Sequence, residues 1–129
     1  MSASEQQQSQ RFALLLDYDG TLALYDTGKL LLEVFAKRGW RKLGRLWMEG
    51  KLSGKASLEG QYGLLPADRD ALTAFTLEHQ VLRPGAQELI EHCRRRSIFV
   101  AVASGGMGFY IHPVLERYNI RLPVFSGEA

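Results

Sequence analysis

The abrupt change in character at Phe12 constrains this chain more than any other feature. Five apolar residues, Phe12-Ala13-Leu14-Leu15-Leu16, run without interruption and stop at Asp17, and Asp17-Tyr18-Asp19-Gly20-Thr21 follows at once. A short continuous apolar run that ends at a polar turn suits a strand buried on both faces of a parallel sheet. Periodicity alone accommodates a helix as well, and Gly20 favours the strand because glycine punctuates a turn there. A second run of the same kind, Ile98-Phe99-Val100-Ala101-Val102-Ala103, stops at Ser104-Gly105-Gly106, and Leu122-Pro123-Val124-Phe125 opens a third strand.

Between the first two runs the text is helical. Asp26 and Thr27 are good N-cap residues for a helix over 29–38, whose Leu31, Leu32 and Phe35 share a face and which Gly39 is placed to end. Trp40, Leu43, Leu46 and Trp47 repeat at helical spacing, and Pro66 can begin a helix carrying Leu72, Phe75 and Thr76. Pro84-Gly85 marks a boundary, after which Ala86, Leu89, Ile90 and Cys93 form an apolar stripe closed by Arg94-Arg95-Arg96, cations placed at a helix C-terminus. Gly105-Gly106 turns into a last helix through Phe109, Val114, Leu115 and Tyr118, with Pro113 near its start. Strand, helix, strand, helix, strand is the arrangement of a right-handed βαβ sheet. The expected fold is therefore α/β: a partial Rossmann-like parallel sheet with a helical cap inserted after the first strand. The expected division is a flexible Gln/Ser-rich tail over 1–11, a core formed by 12–26 and 83–129, and a cap over 27–82.

Composition narrows the function. With 46% apolar and 23% charged residues among 129, the chain has the balance of a globular protein, and its net charge of +2 is too small to argue for nucleic acid. No apolar run approaches the roughly 20 residues of a membrane span, and the first eleven residues lack the apolar segment of a secretory signal. A single cysteine, Cys93, fits a reducing compartment, so the expected location is cytoplasmic. Seven cations between Lys37 and Lys55 face only Glu49 and read as a solvated helix face, with electrostatic steering of an anionic substrate as the functional alternative. Trp40 and Trp47 read as cap core, and His79, His92 and His112 lack metal-ligand spacing.

In open parallel sheets the ligand crevice lies beyond the carboxyl ends of the strands. Both polar strand ends lie there if the strands are neighbours, bringing two carboxylates, a hydroxyl and several amide N–H groups together. Carboxylate oxygens suit a hard cation such as Mg²⁺, and Gly-rich turns before a helix suit a phosphate. The spacing of two between Asp17 and Asp19 points both side chains the same way if the extended conformation persists, which allows one to act as nucleophile and the other as acid/base.

Leu14-Leu15-Leu16-Asp17-Tyr18-Asp19-Gly20-Thr21 resembles the first motif of the haloacid dehalogenase superfamily, and Val102-Ala103-Ser104-Gly105-Gly106 resembles its second. The surroundings are similar to the phosphoserine-phosphatase-like branch. Within it, Ser104-Gly105-Gly106-Met107, Phe109-Tyr110-Ile111 and Pro113-Val114-Leu115 resemble the S-G-G-x-x-F-Y-x-x-P-x-L stretch of the methionine-salvage phosphatases that act on 2-hydroxy-3-keto-5-methylthiopentenyl phosphate. The resemblance spans residues 12–125. It implies Mg²⁺-dependent hydrolysis of a small phosphorylated metabolite through an aspartyl-phosphate. Asp17 would be the nucleophile and Asp19 the acid/base, both in the metal shell. Ser104 and the amides of Gly105 and Gly106 would hold the phosphoryl oxygens, with Thr21 bracing the turn.

The family pattern then requires a Lys or Arg and an acidic pair. After Ser104 this chain has no Lys and no Asp; Glu116 and Glu128 are its only later carboxylates, and Arg117 and Arg121 its only later cations besides His112. A third strand near Ser126 would also lack a covering helix, although parallel sheets are covered on both faces. The expectation is the N-terminal part of a longer phosphatase, with the C-terminal half of the core absent. The alternative is a truncated or degenerate non-catalytic protein that binds phosphate or regulates.

Overall fold

In the computed structural model, which describes residues 11–128, the apolar runs form the strands that their composition dictates. Strand β1 spans Ala13–Leu16, β2 Phe99–Met107 and β3 Val124–Gly127. They form one parallel sheet in the order β1-β2-β3, with Leu16 opposite Val102 and Val102 opposite Val124. Five helices connect β1 to β2: α1 (Thr27–Phe35), α2 (Trp40–Met48), α3 (Gly54–Tyr62), α4 (Arg69–His79) and α5 (Ala86–Arg95). Helix α6 (Gly108–Arg117) connects β2 to β3. Of the tail expected over 1–11, all but Arg11 lies outside the described residues.

Caps set the helix boundaries. The side chains of Asp26, Ser53 and Asp68 accept N–H bonds from Lys29, Ala56 and Ala71, satisfying donors that a helix N-terminus leaves free. The first helix therefore runs 27–35, ending before the expected 38. Gly39, with φ of 101°, opens α2 and does not close α1. Asp68 starts α4 three residues later than the expected Pro66 start. The largest departure is at β2, which continues through Ser104-Gly105-Gly106 to Met107. The glycines expected to turn are held in the sheet by pairing of Met107 with Gly127, across a register irregularity that begins after Ala103. Pro113 lies inside α6 and not at its start.

One hydrophobic cluster joins the sheet to the inserted helices. Val102 of β2, Leu31 of α1, Leu72 of α4 and Tyr110, Ile111, Val114 and Leu115 of α6 are all buried in it, together with Tyr18 and Leu22. Helices α2 and α3 pack against each other as an outlying hairpin; α2 buries no residue and α3 only Ser57. Trp40 and Trp47, expected as cap core, are instead half-buried and exposed, because the hairpin is too thin to enclose them. Arg41 stacks on Trp40 with its guanidinium 4.3 Å from the ring centre.

Helices α1, α5 and α6 pack on β2, whose Val100 and Val102 are buried. Residues paired in a parallel ladder point to one side, so Leu15, Phe99 and Phe125 share the opposite face. They are 62%, 52% and 62% exposed, which makes this face an uncovered apolar surface. On β3, expected to lack a covering helix, α6 packs against one side and Phe125 stands exposed on the other. Cys93 is buried on the stripe of α5, and no helix among the described residues is long and apolar enough to cross a membrane.

Candidate active site

Register between β1 and β2 brings the two polar strand ends together. Leu16 lies opposite Val102, so Asp17 leaves the sheet beside the start of the Ser104-Gly105-Gly106 segment. The chain does not stay extended past Asp17. Residues Tyr18–Leu22 form one wide turn, closed by the N–H of Leu22 on the carbonyl of Asp17 (3.3 Å) and of Ala23 on that of Tyr18 (2.9 Å). Gly20 makes the reversal at φ 73°, where a Cβ would be strained. The carboxylates are consequently separated in direction, and strand alternation does not align them.

Asp17 is exposed, and its Oδ1 accepts the N–H of Tyr18 at 2.8 Å. Asp19 turns inward. Its Oδ1 accepts the N–H of Thr27, in the first turn of α1, at 2.8 Å, and its Oδ2 accepts the hydroxyl of Tyr110, on α6, at 2.7 Å. Burial pushes the Asp19 carboxyl above the usual carboxylate range, and these two hydrogen bonds oppose the shift. Burial pushes the Tyr110 hydroxyl far above its ordinary value, with the neighbouring Tyr62 and Asp19 adding to it, so Tyr110 remains a neutral donor.

Glycine makes this packing possible. A Cβ on Gly106 would fall on the Tyr110 hydroxyl and 2.9 Å from Asp19 Oδ2. A Cβ on Gly28 would fall 2.5 Å from the Tyr62 hydroxyl and 3.5 Å from that of Tyr110. Gly105 meets only Leu58, at 4.0 Å. Ser104 Oγ accepts the N–H of Gly106 at 2.9 Å, so the hydroxyl and this amide are engaged with each other.

The turn is held from the far side of the inserted helices. Arg83 donates its Nε to the carbonyl of Thr21 (2.7 Å), and an Nη to that of Gly20 (2.8 Å). Its backbone N–H reaches the carbonyl of Leu22, beside an antiparallel bridge between Ala23 and Leu82. Next to that bridge lies Gln80, buried, donating to the carbonyl of Tyr25 and to Thr27 Oγ1 and accepting from the N–H groups of Tyr25 and Val81. Thr21, expected to brace the turn, is exposed and enters it through its backbone carbonyl. Tyr110, Thr27, Gln80 and Arg83 carry no local signal of these contacts, since apart from the Val81 N–H beside Gln80 their partners lie between 8 and 91 positions away.

The oxygens present suit a hard cation: the exposed carboxylate of Asp17 and the carbonyl of Asp19, which has no partner outside the turn among the described residues. No cluster of three or more His, Cys, Asp or Glu is found among the described residues. Beside the site, a cavity of about 380 Å³ is bordered by Tyr62, Leu65, Arg69, Met107 and Phe109, and Arg69 stacks on Phe109 at 4.2 Å. Lys37, Arg38, Arg41, Lys42 and Arg45 surround a separate outer concavity without forming an ion pair among the described residues, whereas Lys51 and Lys55 pair with Glu49 and Glu59.

Known proteins are similar to this chain in sequence and in fold. A 2-hydroxy-3-keto-5-methylthiopentenyl-1-phosphate phosphatase from Brevibacillus brevis is 28% identical over 128 residues, covering 93% of this chain and 58% of its own length. The protein of the same description from Bacillus velezensis is 29% identical over 117 residues, covering 90% of this chain and 50% of its own. The chain thus spans about half the length of the curated relatives it matches. Among solved structures, a haloacid dehalogenase family hydrolase from Salmonella enterica serovar Typhi superposes with a TM-score of 0.76 at 21% identity, over 94% of this chain and 42% of that one. A phospho-aspartyl intermediate analogue of phosphoserine phosphatase superposes at 0.67 and 24% identity, over 92% of this chain and 56% of the other, a likeness of fold. The family model for haloacid dehalogenase-like hydrolases matches residues 14–128, and the chain belongs to that family.

Proposed function

We propose that this chain carries the nucleophile-bearing half of a phosphomonoester hydrolase acting on a small phosphorylated metabolite. The observation that supports the reading best is the division of environment between the two carboxylates. Asp17 lies exposed at a strand end, as a nucleophile must to reach phosphorus in line. Asp19 is held inward by two donors, with its carboxyl raised by burial, the direction that keeps a proton available for a leaving group. Asp19 would protonate the departing oxygen and afterwards take the proton of the water that hydrolyses the aspartyl-phosphate.

Ser104 and the amide of Gly105 would bind phosphoryl oxygens. The amide of Gly106 would join them once its bond to Ser104 Oγ is given up. Mg²⁺, when bound, would be held by the Asp17 carboxylate and the Asp19 carbonyl, and it supplies neutralisation of phosphoryl charge. The organic part of the ester would occupy the cavity beside Phe109. Residues 27–82 form the cap in this reading, and a reducing, cytoplasmic setting matches the single buried cysteine. The methionine-salvage phosphatases are the relatives whose substrate class we take as the guide. The test is Mg²⁺-dependent release of phosphate from small phosphate esters by the wild-type chain and by Asp17→Asn. Release that disappears in the variant supports the reading, and release that persists unchanged overturns it.

A further inference from the structure

We propose that Tyr110 is a positioning residue for Asp19, and that Tyr62 beside it ties the seating of the α2–α3 hairpin to the direction of that carboxylate. The proposal rests on the acid/base reading of Asp19 given above and adds to it the groups that aim the side chain.

A carboxylate attached to a wide turn has free rotation about two bonds, so its direction comes from what it bonds. Asp19 bonds one donor on each oxygen: the Thr27 N–H on α1 and the Tyr110 O–H on α6. Donors on both oxygens fix the plane of the carboxyl as well as its direction. One backbone donor alone would leave the second oxygen free to swing. Tyr110 is itself fully buried and packed edge-on against Phe109 with ring centres 5.5 Å apart.

The second element is Tyr62, the last residue of α3. Gly28 lacks a side chain where both hydroxyls gather, so Tyr62 reaches across α1 to meet Tyr110. Both hydroxyls lie within 3.5 Å of the point that a Cβ on Gly28 would occupy, 2.5 Å for Tyr62 and 3.5 Å for Tyr110. Helix α3 otherwise packs mainly on α2, and it buries only Ser57. Tyr62 is thus its polar connection to the acid/base. If the hairpin shifts on the core, the Tyr62 hydroxyl shifts with it, and the Tyr110–Asp19 bond responds. Hairpin seating and the aim of the carboxylate would be coupled.

The experiment reads the Thr27 amide in ¹H–¹⁵N spectra of the chain. An amide hydrogen-bonded to a fixed carboxylate has a displaced, single resonance. In Tyr110→Phe that resonance should move towards the position of an unbonded amide and broaden or split, while the rest of the spectrum stays dispersed. In Tyr62→Phe it should move the same way by a smaller amount; this variant decides the matter if Tyr110→Phe does not fold. A Thr27 resonance that keeps its wild-type position in the folded variants overturns the proposal. With turnover of p-nitrophenyl phosphate, Tyr110→Phe should lower kcat by about 10- to 100-fold with KM nearly unchanged, since binding does not use Asp19's aim. Equal effects on kcat and KM would overturn it also. Absence of turnover in the wild-type chain would count against the phosphatase reading alone, because the amide readout does not require catalysis.

Discussion

Gly105 and Gly106 are adjacent and identical, yet the structure gives them opposite sensitivity to an added methyl group. Neither adopts a left-handed backbone, so space alone decides. At Gly105 the nearest atom to a new Cβ is Leu58 Cδ1 at 4.0 Å, an ordinary contact with a flexible side chain. At Gly106 the new Cβ would overlap the Tyr110 hydroxyl and lie 2.7 Å from its Cζ and 2.9 Å from Asp19 Oδ2. Tyr110 is fully buried and cannot step aside without opening the cluster around Val114 and Leu31. Overpacking of this kind costs about 1–3 kcal/mol, and loss of a hydrogen bond to a charged group about 1.5–3 kcal/mol more. Gly106→Ala should therefore destabilise the fold by about 2.5–6 kcal/mol, a fall in Tm of at least about 10 °C, whereas Gly105→Ala should stay within about 0.5 kcal/mol of wild type. A double-mutant cycle makes the cause specific. Tyr110→Phe removes the overlapping oxygen but leaves Cζ, so the double variant should be less destabilised than the sum by about 1 kcal/mol. Thermal and urea unfolding followed by circular dichroism measure all four proteins. Equal losses at the two glycines, or strict additivity in the cycle, would refute the steric assignment.

Three other outcomes follow from named contacts. The Tyr18 hydroxyl is buried without a hydrogen-bond partner among the described residues, so Tyr18→Phe should raise stability by about 1 kcal/mol in urea unfolding; a comparable loss would mean that the hydroxyl is satisfied after all. Gln80→Leu keeps the volume but strands the groups that Gln80 serves on Tyr25, Thr27 and Val81, and should cost about 2–4 kcal/mol, with a neutral result contradicting its role as the joint of the inserted helices. The bare face of Leu15, Phe99 and Phe125 should drive concentration-dependent self-association in sedimentation velocity, reduced in the Phe99→Lys, Phe125→Lys double variant; a wild-type chain that sediments as a monomer at every concentration would show that the face is tolerated in water.

What the sequence revealed followed from continuity of local signal. Strands β1 and β2 were legible because Phe12–Leu16 and Ile98–Ala103 are unbroken apolar runs. The α/β order was legible because helical text separates them. Gly105-Gly106 was read as a turn because glycine disfavours strands. Yet the segment stays extended because β3 pairs with it at Gly127, a contact 20 positions from Met107. Trp40 and Trp47 have core composition at helical spacing. Whether a stripe is covered depends on what lies opposite, however, and α2 packs chiefly on α3. Tyr110 was legible as part of the Phe109-Tyr110-Ile111 stretch but not as a donor to Asp19, since a buried tyrosine that packs and one that donates have the same spacing.

The D-x-D spacing has a different structural meaning from the one that strand alternation suggests. Asp17 is placed by the sheet: its position follows from Leu16 opposite Val102. Asp19 is placed by helices: its oxygens are bonded to α1 and α6, and the turn that carries it is held by Arg83, beyond all the inserted helices but α5. Two residues apart in sequence, the carboxylates answer to different parts of the fold. A change in strand pairing would move the exposed carboxylate and leave the inward one aimed. A change in the seating of the inserted helices would do the reverse. That separation lets a chain in this fold vary its helical insertion, and with it the pocket, without moving the residue proposed to attack.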